Sequence, residues 1–380
     1  MPSSPEASVV RSLKRHLLDG GLGGVVPAQI LVDADSSYMG SRYASELEPM
    51  ARVDVGGGRP DLLCSTERTQ GTIVSGFEVK ASGRDWLQGI AQARRYRAGV
   101  HHSYLALPGR RADLEREAST MARETGVGIL VREDENWLEV VRPADPIPLP
   151  WTLGSTSAVL EGVPVARRLQ LNHPLNYLVV PLLAATLNTD RTLEDELAAR
   201  WPDLGSPGTR RHAITGAQSL RLIDAALKPT AEGNAVADLL LGLGFTTESR
   251  PSKKARLAVV APALAAVARF VLLQQPAVRL ILRSLAATGR PVPLPELAAT
   301  ACRLDPPLGG ALFLDDPSRE FRPDLPGGSY NPSTVFKLKQ NLWHAGLLAT
   351  PYHASAGGRA ADFRPAEDLW ALEASVLRLP

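Results

Sequence analysis

Cysteine is nearly missing from this 380-residue chain. Cys64 and Cys302 alone cannot build a disulfide framework or a four-ligand zinc site, and a reducing cytoplasm is the expected setting. Charge of one sign is missing too: 42 Lys+Arg against 40 Asp+Glu leave +2. No global basic field announces a nucleic-acid partner, so any such case rests on local clusters. Residues 1–150 carry 18 basic and 20 acidic side chains, a balance of −2, which leaves +4 for the remainder. Long apolar runs are lacking as well. The longest, Leu257 to Leu273, is broken by Pro262 and Arg269 and falls short of a span of about 20 residues, so a buried helix and no membrane partner are expected. The start MPSSPEASVV has no charged-then-apolar leader, and export is not expected. Lysine is scarce: only seven of the 42 basic residues are Lys, and residues 1–142 hold just Lys14 and Lys80.

The length and 44% hydrophobic content allow more than one core. Four prolines in Arg142 to Trp151 (RPADPIPLPW) bar a helix or central strand there and mark a boundary. The expected organisation is a domain over 1–142, a Pro-rich linker over 143–154, a helical domain over 155–245 and a second over 246–380. In the first domain, Ser8 to Leu18 reads as an amphipathic helix, with Val10, Leu13, Leu17 and Leu18 at helical spacing. Strands are predicted at Met50 to Val55, Arg59 to Cys64, Thr72 to Ala81, His101 to Leu107, Val127 to Arg132 and Trp137 to Val141. Helices are predicted at Arg84 to Ala98 and Ala112 to Thr125. This order is that of an α/β core with a central mixed sheet flanked by helices.

The stretch RPDLLCSTERTQGTIVSGFEVK, Arg59 to Lys80, carries the chemistry. On a strand over Thr72 to Ala81, Ile73, Phe77 and Val79 face one layer. Glu78 and Lys80 share the other face, about 6.6 Å apart along the chain. Asp61, on the preceding hairpin strand, can face the same spot. Two carboxylates suffice for a hard cation such as Mg²⁺ or Mn²⁺, which takes its remaining ligands from phosphate and water. Such a metal activates water and neutralises charge at phosphorus, with Lys80 placing or deprotonating the water. Lys80 is informative because background usage would have supplied Arg there.

With these residues in place, the chain resembles the PD-(D/E)XK nuclease superfamily. Pro60-Asp61 stands as the PD element and Glu78-Val79-Lys80 as ExK, 17 residues on. The resemblance implies a restriction-endonuclease-like N-terminal domain in which Asp61, Glu78 and the main-chain carbonyl of Val79 bind metal while Lys80 serves the water. Gln92 and Tyr96 (QARRY) resemble the QxxxY signature of the RecB-like branch, one helical turn apart, with Arg94 and Arg95 placed for phosphate contacts. The family also implies a further acid from its first core helix. The candidates are Glu48 or Glu46, which are preferred, then Glu6 and Asp54. The likeness spans residues 40–108.

Each signal has a plainer reading. A solvated hairpin face would also carry Asp61, Glu78 and Lys80, and Arg322-Pro323-Asp324 repeats RPD with no Glu-x-Lys after it. His101 and His102 point to opposite strand faces, which is a poor metal geometry.

The C-terminal half is mainly α. Helices at Ala277 to Thr288, Leu294 to Cys302 and Ser333 to Leu347 precede a predicted hairpin of Leu348 to Ser355 and Arg359 to Arg364, the pattern of a winged helix-turn-helix. Lys337, Lys339, Gln340 and Asn341 on its third helix are the expected DNA-reading residues. An earlier unit of the same type has helices near Asn176 to Leu187, Leu193 to Trp201 and Gly208 to Ile223, with Arg210, Arg211 and His212 as a further basic spot. The expectation is a metal-dependent DNA endonuclease for restriction, defence or repair, with RNA open as a substrate. A homodimer would fit double-strand cutting with one site per chain. The rival expectation is a catalytically inactive DNA-binding or regulatory protein built on the nuclease scaffold.

Overall fold

A computed structural model describes residues 5–68, 71–114, 116–134, 136–144, 148–187, 191–248, 250–252, 254–316, 319–351 and 363–374. The chain divides into two compact units, Met1–Val163 and Pro164–Pro380. The division falls inside the helix Pro150–Arg168, and the two helical segments expected to be separate domains belong to one unit.

The first unit is built on a seven-stranded mixed sheet. Its strands are β1 (Gln29–Asp33), β2 (Met50–Ala51), β3 (Leu62–Arg68), β4 (Gly71–Val79), β5 (His102–Pro108), β6 (Gly128–Glu133) and β7 (Asn136–Val141). They lie in the order β2-β1-β3-β4-β5-β6-β7. β3 and β4 form an antiparallel hairpin with Leu62 opposite Phe77, while β4, β5 and β6 run parallel. The parallel pairs need crossovers, supplied by α4 (Trp86–Tyr96) and α5 (Arg116–Thr125). α1 (Pro5–Asp19) packs on β4 and β7, and its Val10, Leu13 and Leu17 join Phe77, Val79, Tyr104, Leu130 and Trp137 in one core. Leu18, expected on that stripe, is half exposed. Strand alternation sends Phe77 and Val79 into this core and leaves Glu78 for the side where α4 lies.

Three strand expectations change. The strand predicted from Arg59 to Cys64 starts only at Leu62 and runs on to Arg68. The strand predicted from Met50 to Val55 is confined to Met50–Ala51, because the chain turns through Gly56, whose φ is +63°. A Cβ at Gly56 would sit 2.2 Å from the Arg95 carbonyl, so only glycine allows this loop to lie against α4. β1 was not foreseen: its QILV run has no alternation, as befits a strand buried on both faces.

The second unit is helical. α6 (Pro150–Arg168) leads into it, followed by α7 (Leu175–Ala185), α8 (Leu193–Arg200), α9 (Pro207–Ser219) and α10 (Ala231–Gly242). Then come α11 (Leu257–Val260), α12 (Pro262–Leu273), α13 (Pro276–Thr288), β8 (Val292–Pro293), α14 (Leu294–Leu304) and α15 (Pro306–Phe313). A π-helical turn, Ser333–Leu338, runs into α16 (Lys339–His344), and β9 (Leu369–Trp370) pairs with β8. Every residue of α7 from Leu175 to Leu183 is buried, which makes it the central helix. The expected hairpin falls largely on 352–362, outside the described residues. Within them, Leu348 pairs with Leu372, so the returning strand lies later than Arg364. The apolar run from Leu257 splits into α11 and α12, with Val259 and Phe270 exposed. Among the described residues no single helix is long and apolar enough to cross a membrane; α12 and α13 meet the test only together, across a 97° bend.

Candidate active site

Asp61 immediately precedes β3 and Glu78 lies near the end of β4, where the hairpin register brings the two strand ends together. Both oxygens of Asp61 are held: the Tyr38 hydroxyl of α2 (Ser36–Met39) donates to Oδ1 at 2.6 Å and the Val79 N–H to Oδ2 at 2.6 Å. In extended backbone a residue's N–H and C=O leave the strand on the same side, so the Val79 carbonyl faces Asp61 as well. Glu78 is 3% exposed. Its Oε1 accepts from Lys80 Nζ at 2.6 Å and its Oε2 from the Tyr96 hydroxyl, which also donates to the Arg59 carbonyl at 2.9 Å. Tyr96 of α4 thereby ties the ExK strand to the residue two before Asp61.

The electrostatics follow from this crowding. Burial, then the Glu78 charge, push the Asp61 carboxyl well above its ordinary value, against the Tyr38 and Val79 hydrogen bonds that pull it down. Desolvation alone would lower Lys80. The Glu78 contact and the charges of Asp61 and Glu6 outweigh it, so Lys80 is raised and rests as an ammonium. Tyr38 and Tyr96 are both raised, by burial and then by the carboxylates they serve, and therefore act only as donors. Beside them, Arg59 grips Asp33 of β1 with Nη2 at 2.8 and 2.6 Å from the two oxygens.

Of the four further acids weighed, Glu6 of α1 is the one the fold brings into this field. Burial raises its carboxyl, and Lys80 and Glu78 are the next influences on it. The preference for Glu48 or Glu46 is corrected. Glu46, on α3 (Ala44–Leu47), pairs with Arg11 at 2.5 Å and Arg15 at 3.2 Å of α1. Glu48 is exposed, and its main-chain carbonyl accepts from Lys14. Asp54 accepts the Gly57 N–H at 3.0 Å and caps its own turn. Among the described residues no three His, Cys, Asp or Glu side chains already group as a metal cage. A hard cation requires only one or two carboxylates when substrate and water complete its shell, and the hydroxyls on Asp61 and Glu78 are the outer partners such ligands use. The donor set thus fits Mg²⁺ or Mn²⁺.

Gln92 lies one turn before Tyr96, and its Oε1 is a buried acceptor with no partner among the described residues. Arg94 and Arg95 are exposed on α4, while Arg97 is structural and donates to the Thr125 carbonyl. His101 Nδ1 accepts from the Val74 N–H at 3.0 Å, in keeping with a structural role. Tyr38, Asp33 and Arg59 were missed, because the pairs they form join segments 23 and 26 residues apart.

The DNA-reading residues placed on the third C-terminal helix require correction. Lys339 and Asn341 are fully buried. Lys339 Nζ donates to Asp368 Oδ1 at 2.6 Å and to the Leu369 carbonyl at 2.8 Å, and Asn341 Nδ2 to the carbonyls of Leu171 and Lys337 at 2.7 Å each. Lys337 and Gln340 are half-buried, and no residue from Ser333 to Leu348 is exposed. This helix is a core element and cannot enter a groove.

No family model and no curated protein matches this chain.

The raised Asp61 carboxyl makes a testable statement about stability. A carboxylate raised on folding favours the native state below its unfolded value and loses that contribution as pH climbs through the folded value. Asp61→Asn is therefore expected to raise the melting temperature of metal-free protein at neutral pH, with the gain shrinking as pH falls toward 4. Scanning fluorimetry of both proteins across pH measures this. A melting point at or below wild type at every pH would refute it.

Proposed function

We propose that the protein is a metal-dependent DNA endonuclease of the PD-(D/E)XK type, with the first unit as its catalytic domain. The observation that carries the reading is the convergence of Asp61, Glu78 and Lys80, with Tyr96 from the next helix tying Glu78 to the Arg59 main chain. A solvated hairpin face does not explain it, since Glu78 is buried, and burial followed by the Glu78 charge pushes Asp61 upward. The Glu-x-Lys parity, the PD position and the Gln92–Tyr96 spacing add to it.

In this reading Asp61, Glu78 and the Val79 carbonyl hold Mg²⁺ or Mn²⁺, with Glu6 as the further acid. When bound, the metal supplies Lewis-acid charge neutralisation and a water of lowered pKa. The chain's own residues do the rest. Tyr38 and Tyr96 fix the carboxylate orientations. Lys80 moves from Glu78 to the attacking water once the carboxylate charge has another partner. Arg94 and Arg95 lie exposed on α4 for phosphates. The winged-helix type remains our reading of the second unit, which carries β8 and β9 and supplies DNA recognition.

The test is incubation of purified protein with supercoiled, linear and modified DNA, and with RNA, in Mg²⁺, Mn²⁺ or chelator. Metal-dependent cleavage is expected, with Glu6→Gln weakening metal-induced thermal stabilisation and Glu48→Gln leaving it intact. Absence of cleavage of every substrate would sink the catalytic reading. It would favour the inactive scaffold, a rival consistent with the Lys80–Glu78 pair that closes the carboxylate.

A further inference from the structure

α8 and α9 pack on each other and both pack on α7. The turn between them is fixed from inside. Trp201 is buried, its Nε1 donates to Asn176 Oδ1 of α7 at 3.0 Å, and Leu204 is buried beside it in sequence. Ser206 and Thr209 then form a reciprocal capping box that sets the first turn of α9. On the packed side, Ala213, Ile214, Gly216 and Ala217 are small or apolar. A Cβ at Gly216 would lie 2.2 Å from the Tyr177 ring, so glycine is what lets α9 approach α7 this closely.

The outward stripe of α9 has the opposite character. Gly208, Arg211, His212, Thr215 and Gln218 follow helical spacing on one face, with Arg211 and His212 exposed. α9 contains no acid, and no large hydrophobic residue is exposed on it. Arg211 reaches Glu194 only at 3.8 Å with its side chain 70% exposed, an ion pair that a phosphate can replace. Beyond α9 the chain makes a tight turn in which Ile223 bridges Pro229 and the Asp224 N–H donates to the Lys228 carbonyl at 2.8 Å, leaving the Lys228 side chain exposed where the turn closes. The neighbouring Asp224 is exposed, and its carboxylate is engaged locally, accepting the Lys228 N–H at 2.8 Å.

We propose that α8, its turn and α9 form a helix-turn-helix whose α9 face reads the major groove of duplex DNA, with Lys228 on the flanking backbone. An α-helix fits the B-form major groove, where cationic and hydroxyl side chains meet base edges. The deep, narrow groove of double-stranded RNA excludes a helix, and single-stranded readers rely on stacked aromatics that this face lacks. A protein groove would call for exposed apolar anchors, and α9 offers none. The proposal takes its partner from the DNA-enzyme reading but does not depend on the chemistry at Asp61 and Glu78.

The experiment uses the full chain in chelator, so that binding is measured without cleavage. A duplex DNA pool with a randomised centre is selected on wild type and on the triple variant Arg211→Ala, His212→Ala, Thr215→Ala. Wild type is expected to enrich a sequence motif. The triple variant is expected to lose the motif and to bind the selected duplex at least about tenfold more weakly, with an unchanged melting temperature because these side chains lie on the outward face. Lys228→Ala is expected to weaken all duplexes alike and to reduce the salt slope by about one. The proposal is overturned if wild type binds no duplex, or if the triple variant enriches the same motif with the same affinity. Failure of the nuclease reading shows separately, as intact binding with no metal-dependent cleavage.

Discussion

Lys80→Ala is expected to lower metal-dependent phosphodiester cleavage by about 10²- to 10⁴-fold, the range lost when a positioned proton-transfer group is removed. The size follows from where the ammonium rests. It sits 2.6 Å from Glu78, is raised by the surrounding negative charge, and is therefore charged and pre-positioned when substrate arrives. Its removal also takes away the cation that competes with metal for Glu78. Thermal stabilisation by Mg²⁺ or Mn²⁺ should therefore hold or increase in the variant while cleavage disappears. That opposition separates a chemical role from a structural one, because a collapsed site would lose both. Lys80→Arg is not expected to rescue, since a planar guanidinium cannot follow a compact ammonium from carboxylate to water. Cleavage by Lys80→Ala at the wild-type rate would remove Lys80 from the mechanism.

The parts of this site that were legible in the sequence are those set by short-range geometry. Strand parity places Glu78 and Lys80 together, and helical spacing places Gln92 one turn from Tyr96. The Asp61 position follows from a hairpin whose register the alternating run already implies. The parts that were not legible depend on long-range pairing. Tyr38 reaches Asp61 from the four-residue helix α2 that follows β1, and β1 has no periodicity to announce it. The positions of the candidate further acids were not legible for a similar reason. Glu46 and Glu48 lie nearer to Asp61 along the chain, but α1 folds back across the sheet, occupies Glu46 with Arg11 and Arg15, and delivers Glu6 instead.

The misreading of the last helix has a different physical origin. Lysines and amides without nearby acids read as a solvated, groove-facing surface. Yet Val335, Leu338, Lys339 and Leu342 stand at i, i+3, i+4 and i+7, so Lys339 lies on the apolar stripe and not opposite it. That spacing was the available signal. The partner that makes the burial tolerable, Asp368, is 29 residues away and could not be matched to it by local pattern.

Lys339→Ala is expected to destabilise the second unit by about 3–5 kcal/mol, the cost of leaving one member of a buried pair without its counter-charge. Both side chains are fully excluded from solvent, and Asp368 would lose its counter-charge while keeping the Trp370 Nε1 donor at 2.8 Å on its other oxygen. The lost ammonium also lies 4.8 Å over the Trp370 ring, so the variant loses that cation–π contact and leaves a void beside the β8–β9 pair. A loss of this size is a large share of the roughly 5–15 kcal/mol that holds a domain together, equivalent to a fall of about 10 °C in melting temperature for a unit of this length. Denaturant titration followed by tryptophan fluorescence measures it. The double variant Lys339→Met, Asp368→Asn is expected to recover part of the loss, because Asn keeps an acceptor for Trp370 and no charge stays buried. If Lys339 were instead a DNA contact, Lys339→Ala would weaken duplex binding in a fully stable protein. The two outcomes are opposite in both measurements, so one variant decides whether this helix serves the core or the groove.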